Sequence, residues 1–300
     1  MTANNNVIVV DNFDDYYSPE LKRRNVKHNL DNPNYKLIIA DIEDDEAIKR
    51  VFTENKVDCV VHLAAKAGVR PSIKSSIAYA KTNIIGTLNI LNAMNKANVH
   101  KIVFASSSSV YGDCDSDLFK ESFNASFPIS PYAATKKSCE EFLYTYHKTF
   151  GLDTVILRFF SVYGPRQRPD LAIRKFIDNI STNTPITMFG DGTTARDYTF
   201  VDDITDGIVA AIEYNKSSFE IINLSSGHPI CLNDMIATIE DTLGKKAIIE
   251  RLPLQTGDVT KTAGDISKAN KLLEYTPKID FKTGVKMFVE WQKNNDSGNN

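Results

Sequence analysis

Lys101-Ile102-Val103-Phe104-Ala105-Ser106-Ser107-Ser108-Ser109-Val110-Tyr111-Gly112 leads, through a polar turn-rich passage, to Ser130-Pro131-Tyr132-Ala133-Ala134-Thr135-Lys136. The apolar run bounded by turn formers predicts a strand buried on both faces. Ser130 is placed as a helix N-cap with Pro131 at the first helical position. The two parts together predict a strand, a loop and a helix that opens at the loop. Tyr132 and Lys136, four apart, then share one helix face. A phenol has a pKa near ~10 and is a poor base at neutral pH. A cation beside it favours the phenolate, and a serine hydroxyl nearby can bridge it to a substrate hydroxyl. Tyr144 and Lys148, mid-helix, match the same spacing and read as packing or surface. The helix start and the upstream serines, rather than the spacing alone, single out Tyr132.

Composition narrows the function classes. The 300 residues suit one large α/β domain or two modest ones, and 42% hydrophobic with 24% charged is ordinary for a globular chain. A net charge of -3 gives no electrostatic reason to expect nucleic acid as a partner. Cys59, Cys114, Cys139 and Cys231 are scattered without metal spacing and suit a reducing, cytoplasmic setting. The five histidines are equally scattered, so no metal site is expected. No membrane span or signal peptide is visible.

The serine run with Val110-Tyr111-Gly112, the Ser-Pro-Tyr-x-x-x-Lys segment and Arg158-Phe159-Phe160-Ser161-Val162-Tyr163-Gly164-Pro165-Arg166-Gln167-Arg168-Pro169-Asp170 resemble the extended short-chain dehydrogenase/reductases that epimerise or dehydrate nucleotide sugars. Within that family the pattern looks most like the branch acting on UDP-glucuronate. The resemblance runs from Val7 onward. It implies an α/β, Rossmann-like doubly wound parallel sheet lacking its first strand and first helix, with a smaller C-terminal substrate domain. The implied cofactor domain covers residues 1–160 and about 197–224, and the substrate domain about 161–196 and 225–294. NAD is the implied cofactor and a UDP-sugar the implied substrate. The implied reaction is 4-epimerisation through a 4-keto sugar, with Ser107, Tyr132 and Lys136 as the catalytic set. UDP-glucose or a UDP-N-acetylhexosamine remains an alternative substrate, and an inert binding or scaffold protein the alternative of another class. Ser108 and Ser109 stand where the dehydratase branch carries acids, which argues against loss of water. The helices at 72–97 and 131–150 resemble those that pair in a family homodimer.

Taken in order, Val7–Val10 predicts a strand ending at Asp11-Asn12. Asp11 is either a ribose-diol acceptor, which would favour NAD, or a turn aspartate. A second strand ends at Asp41-Ile42, where the family contacts adenine. The third, 57–63, leads through Leu63, Ala64 and Ala65 to Lys66, a departure where a neutral residue is expected and which reads as a solvated lysine. A single long helix is predicted over 72–97, with Ile84, Ile85, Leu88, Leu91 and Met94 on its core face and Asn83 matching an active-site asparagine. Phe160 and Ser161 would stand near the nicotinamide and the sugar. Arg168 is the candidate for a substrate carboxylate, with a surface arginine as the alternative. Arg196 fits the diphosphate, and Gln255 and Asp258 match the block that holds the uridine ribose. Asp202 or Asp203 is expected to cap the following helix.

A strand, glycine-rich turn and helix normally open such a fold. Here the first glycine is Gly68. The favoured reading is that a preceding piece is absent; a degraded enzyme, or a piece supplied by a second polypeptide, are the alternatives. The first reading requires the strands at Val7 and Val57 to be separated by an open place, about 10 Å apart against the usual ~4.8 Å.

Overall fold

The computed structural model describes residues 5–114, 116, 118–253 and 261–296. Contacts divide the chain into two compact units, residues 1–104 with 130–154, and residues 105–129 with 155–300.

The first unit begins with strand β1 (Val7–Asp11), helix α1 (Pro19–Val26), strand β2 (Tyr35–Ile39), helix α2 (Asp45–Glu54) and strand β3 (Val60–His62). Helices α3 (Val69–Lys74), α4 (Ser76–Tyr79) and α5 (Gly86–Lys96) follow, then strand β4 (Lys101–Ser107), which passes into the second unit at Ala105, helix α6 (Pro131–Phe150), and strand β5 (Asp153–Phe159), which passes into it at Val155. β1 and β2 pair in parallel as a sheet of their own, Val7 opposite Tyr35 and Asp11 opposite Ile39. β3 pairs in parallel with β4, Val60 opposite Ile102, in a sheet of order β3-β4-β5-β9, where β9 is Phe219–Leu224. Among the described residues β1 and β3 share no ladder. The burial follows. Every β1 residue from Val7 to Val10 is half-buried, whereas β4 is buried from Ile102 to Ser107.

One expectation fails. The predicted helix over 72–97 is broken at Ser75, whose φ of -139° leaves the helical region, and residues 80–85 form a π-helical segment. A π turn shifts the helical register. Ile85, expected in the core, is 48% exposed, while Ile90, Leu91, Ala93 and Met94 are buried. The shift buries Asn83 and turns its amide toward two other segments, which is the usual setting of such bulges.

The second unit contributes β6 (Ser161–Tyr163), α7 (Ala172–Ser181), β7 (Ile186–Phe189), β8 (Ala195–Phe200), α8 (Val201–Glu213), β9 (Phe219–Leu224), β10 (Pro229–Cys231), α9 (Leu232–Leu243), β11 (Ile249–Leu252), β12 (Lys261–Thr262), α10 (Ser267–Leu273) and α11 (Phe281–Asp296). β8 is its hub, pairing with β10, β12 and β6. β7 and β11 form a parallel pair. Ile173, Phe176, Ile177 and Ile180, at helical i, i+3, i+4, i+7 spacing on α7, pack with Met235, Ile236 and Ile239 of α9 and Val285, Phe288 and Val289 of α11. Asp203 corrects a second expectation. The N-cap of α8 is Phe200, and the buried Asp203 carboxylate instead accepts from the Lys278 and Ile279 amides, at 2.9 and 3.2 Å.

Candidate active site

Helix α6 starts as its sequence predicts. The Ser130 hydroxyl accepts from the Ala133 amide at 3.2 Å, with Pro131 in the first turn. Gly151, with φ +69°, ends the helix in the left-handed conformation. Tyr132 and Lys136 lie one turn apart. The Tyr132 ring meets the Tyr79 ring edge-on, centroids 6.3 Å apart, and the Tyr79 hydroxyl donates to the Ala67 carbonyl at 3.1 Å.

Lys136 is 4% exposed, an unusual place for an ammonium. Its Nζ lies 4.9 Å from the Phe104 ring centre. Burial pulls its pKa down to about 8, against the opposing pull of Cys139 and Glu140. Desolvation, with the Lys136 charge added, pushes the buried His62 down to about 3, so its imidazole is neutral. His62 Nε2 is 2.9 Å from Thr87 Oγ1. Thr135, between Tyr132 and Lys136, accepts from Asn83 Nδ2 at 2.9 Å. Asn83 also clamps the Lys66 backbone, accepting from its amide at 2.8 Å and donating to its carbonyl at 3.0 Å. One asparagine thus links the loop after β3 to the helix that carries the tyrosine and lysine.

Ser107 ends β4 and caps a 3-10 turn over residues 108–111. Its hydroxyl accepts from the Ser109 amide at 3.2 Å and lies 3.2 Å from Ser109 Oγ. Ser108 and Ser109 are half-buried in that turn. The Val-Tyr-Gly part of the motif is structural. Tyr111 is buried, its hydroxyl 2.7 Å from Asn223 Oδ1 and its ring 4.7 Å from the Arg158 guanidinium. Gly112 adopts φ +65°, and a Cβ there would lie 2.3 Å from the Phe127 carbonyl oxygen.

At the end of β1 a run of side-chain turns forms. Asp11 Oδ1 accepts from the Phe13 amide at 2.7 Å and Asn12 Oδ1 from the Asp14 amide at 2.9 Å. Asp11 is therefore a turn aspartate, and its second oxygen has no hydrogen bond among the described residues, which leaves it open to a diol. Asn12 Nδ2 donates to Asp41 Oδ2 at 2.7 Å, bringing the two strand ends together. Ile42 is buried against Gly86, so its side chain faces the core. Leu63 is 53% exposed beside Ala64 and the half-buried Ala65. Lys66 differs from the expectation of a solvated side chain. Its Nζ is paired with Asp14 at 2.7 Å.

In the second unit, Ser161 lies opposite Tyr198 in the β6–β8 ladder. The Phe160 ring is buried with Val110, Tyr111, Phe119 and Ala125, so packing occupies it. Arg196 is half-buried, with Nη1 donating to the Ala195 carbonyl at 2.8 Å. Arg168 presents its fork to Asp170, Nε to Oδ1 and Nη2 to Oδ2, both at 2.8 Å. Gln255 and Asp258 lie outside the described residues.

Sequence reasoning passed over Asp197. It is fully buried in β8, and its carboxylate accepts from the Ser226 amide (2.9 Å), the Ser226 hydroxyl (2.6 Å) and the Gly227 and Gly264 amides (both 3.1 Å). It gathers the loop after β9 and the chain after β12 onto the strand that bears Arg196. The readable signal was alternation, since residues 197 and 199 share the inward face of β8.

The first unit thus carries a buried ammonium one turn from a phenol and, at a strand end, a carboxylate with an oxygen that has no hydrogen bond among the described residues. The chain belongs to the family described as GDP-mannose 4,6-dehydratase, whose pattern matches residues 1–288. It is 44% identical over 290 residues to a UDP-glucuronate 4-epimerase of Thermodesulfobacterium geofontis, covering 96% of this chain and 89% of that one. UDP-glucuronate 4-epimerase 4 of Arabidopsis thaliana is 38% identical over 309 residues, covering 97% of this chain and 70% of the plant protein. The crystal structure of the UDP-glucuronic acid 4-epimerase of Bacillus cereus, with UDP-glucuronic acid and NAD, superposes with a TM-score of 0.89 at 36% identity, covering 96% of this chain and 90% of that one.

Proposed function

We propose that the protein is an NAD-dependent UDP-glucuronate 4-epimerase, interconverting UDP-glucuronate and UDP-galacturonate. The observation that carries this is the buried Lys136, 4% exposed, one helical turn from Tyr132 at the start of α6. A desolvated ammonium is costly and finds its use in stabilising a phenolate. The donor set fits NAD at both ribose ends: Asp11 keeps an oxygen for one diol, and Lys136 offers its ammonium to the other. When bound, NAD supplies reversible hydride acceptance at the sugar's C4. Tyr132 takes the proton from the 4-hydroxyl and returns it. Ser107 orients the 4-oxygen. Ser108, Ser109 and Ser161 offer hydroxyls to the sugar, and Arg196 a charge to the diphosphate. Arg168 takes the uronate carboxylate, its fork already shaped around the carboxylate of Asp170.

The same pair favours a second reading. An arginine already engaged on both arms leaves the substrate without a carboxylate receptor, which suits UDP-glucose or a UDP-N-acetylhexosamine. Incubating the protein with NAD and each sugar nucleotide, and following C4 inversion by NMR, separates the two. Arg168→Ala is expected to abolish turnover of the uronate alone; equal turnover of both sugars by wild type and variant would refute the uronate reading. No inversion of any of them would favour the inert alternative.

A homodimer through α5 and α6 is supported by Tyr144 and Phe150, 47% and 46% exposed on α6, and sedimentation tests it. All four cysteines are free, which supports a cytoplasmic setting. No helix among the described residues is long and apolar enough to cross a membrane.

A further inference from the structure

We propose that Glu140 is a positioning residue: its buried carboxylate holds the proton on Lys136, so that the ammonium is present at neutral pH to stabilise the Tyr132 phenolate. That role rests on the reading of Tyr132 as the base, whereas the pairing of the two buried charges does not.

Tyr132, Lys136 and Glu140 stand at i, i+4 and i+8 on α6 and so share one helix face. Lys136 is buried and Glu140 more so, at 2% exposed. A carboxylate is almost never buried so fully unless it is paired. Helix stability does not explain the pair, because acid before base is the better order at this spacing and here the base comes first. Lys137 reaches Glu140 at 3.5 Å, but its nearer partner is the exposed Glu141, at 2.7 Å.

The surroundings leave the task to this one acid. Burial pulls Lys136 down to about 8, and Cys139 and Glu140 resist that fall. Burial raises the Cys139 thiol, which is therefore neutral at pH 7, so the resistance there comes from Glu140. His62 is neutral as well. The helical segments packed on α6 offer no second acid: α3, α4, residues 80–85 and α5 carry only Arg70, Lys74, Tyr79, Lys81 and Lys96 as ionisable residues. The other tyrosine–lysine pair of the helix, Tyr144 and Lys148, has Leu152 at the matching place, beyond the helix end.

NMR titration of the protein with lysine labelled by 13C at Cε tests this without cofactor or substrate. The Lys136 signal is the one missing from Lys136→Met, and its wild-type midpoint is expected near pH 8. Glu140→Gln keeps the shape and removes the charge, and should lower that midpoint by roughly one pH unit or more. Glu140→Asp keeps the charge and should restore most of the difference. With one unit lost, the charged fraction of Lys136 at pH 8 drops from about half to about a tenth. Turnover of the sugar nucleotide by Glu140→Gln should then fall roughly fivefold at pH 8 and hardly at all at pH 6, with KM unchanged. A carboxylate that serves packing alone predicts one midpoint for wild type and Glu140→Gln, and that result overturns the proposal. Should Glu140→Gln fail to fold, the wild-type Glu140 carboxyl carbon decides. It is expected to inflect near pH 8 and not to do so in Lys136→Met; no inflection in the wild type overturns the pairing. A lowered midpoint in a protein that turns over no sugar nucleotide keeps the pairing, and overturns its catalytic use together with the function proposed above.

Discussion

Replacing Lys136 with methionine should make the protein's stability less dependent on pH, in a direction and window set by burial. The lysine falls from an ordinary 10.5 to about 8 on folding. That difference corresponds to roughly 3 kcal/mol. Below pH 8 both folded and unfolded chains carry the ammonium, and the folded state bears the full cost of desolvating it. Between pH 8 and 10.5 the unfolded chain still binds the proton and the folded one releases it, so unfolding free energy rises with pH. Above 10.5 the cost has gone. Lys136→Met carries no proton to lose. The stability of wild type minus variant should therefore climb by roughly 3 kcal/mol across that window. At pH 7 the variant gains the removed desolvation cost and loses the cation–π contact with Phe104, worth up to about 2 kcal/mol, so it should be about as stable as wild type or slightly more so. His62, Cys139 and Glu140 are among the groups whose charge the ammonium feels. His62 stays neutral throughout, and burial raises the Cys139 thiol, so it does not ionise early in the window. Urea unfolding followed by far-UV circular dichroism at pH 7, 8, 9 and 10 gives the difference directly. A difference that is flat in pH, or a variant several kcal/mol weaker at pH 7, refutes the reasoning and with it the picture of Lys136 as a destabilising group retained for chemistry.

Tyr132→Phe should leave folding intact and lower turnover by about 10²–10⁴-fold, read by NMR of C4 inversion; a change below tenfold removes the phenol from the mechanism. Asp197→Asn keeps an acceptor for Ser226 but turns an amide donor toward the Gly227 and Gly264 amides, for a loss of about 3–5 kcal/mol. The single tryptophan, Trp291, packs against the core of the same unit, so its fluorescence in urea reports that loss. Gly112→Ala forces a side chain into φ +65° and against the Phe127 carbonyl, and should cost more than about 2 kcal/mol by the same measurement.

What the sequence made legible was local. Ser130 and Pro131 announced the start of α6, and the apolar runs announced β1, β2, β4 and β5, because caps and strand patterns are written in adjacent residues. The break at Ser75 and the π turn over residues 80–85 were hidden. The apolar spacing from Ile84 to Met94 is compatible with an unbroken helix, and the bulge is selected by what Asn83 must reach. Lys66 and Asp14 stand 52 residues apart, and Asn83 and Thr135 the same distance, so no window on the sequence contains either pair. Arg168 was singled out for its chemistry, and its engagement by Asp170 two residues on was overlooked.

Among the described residues the two-strand ladder of β1 and β2 borrows no backbone hydrogen bonds from the larger sheet. Pairs of strands without further partners are marginal in water. The amides of Val7–Asp11 and Tyr35–Ile39 should therefore exchange with deuterium through a shallow local opening, well before those of Lys101–Ser107. Asp11, Asn12 and Asp14 sit on that looser layer, so an anchored dinucleotide would slow the exchange of those amides as well as occupy the site.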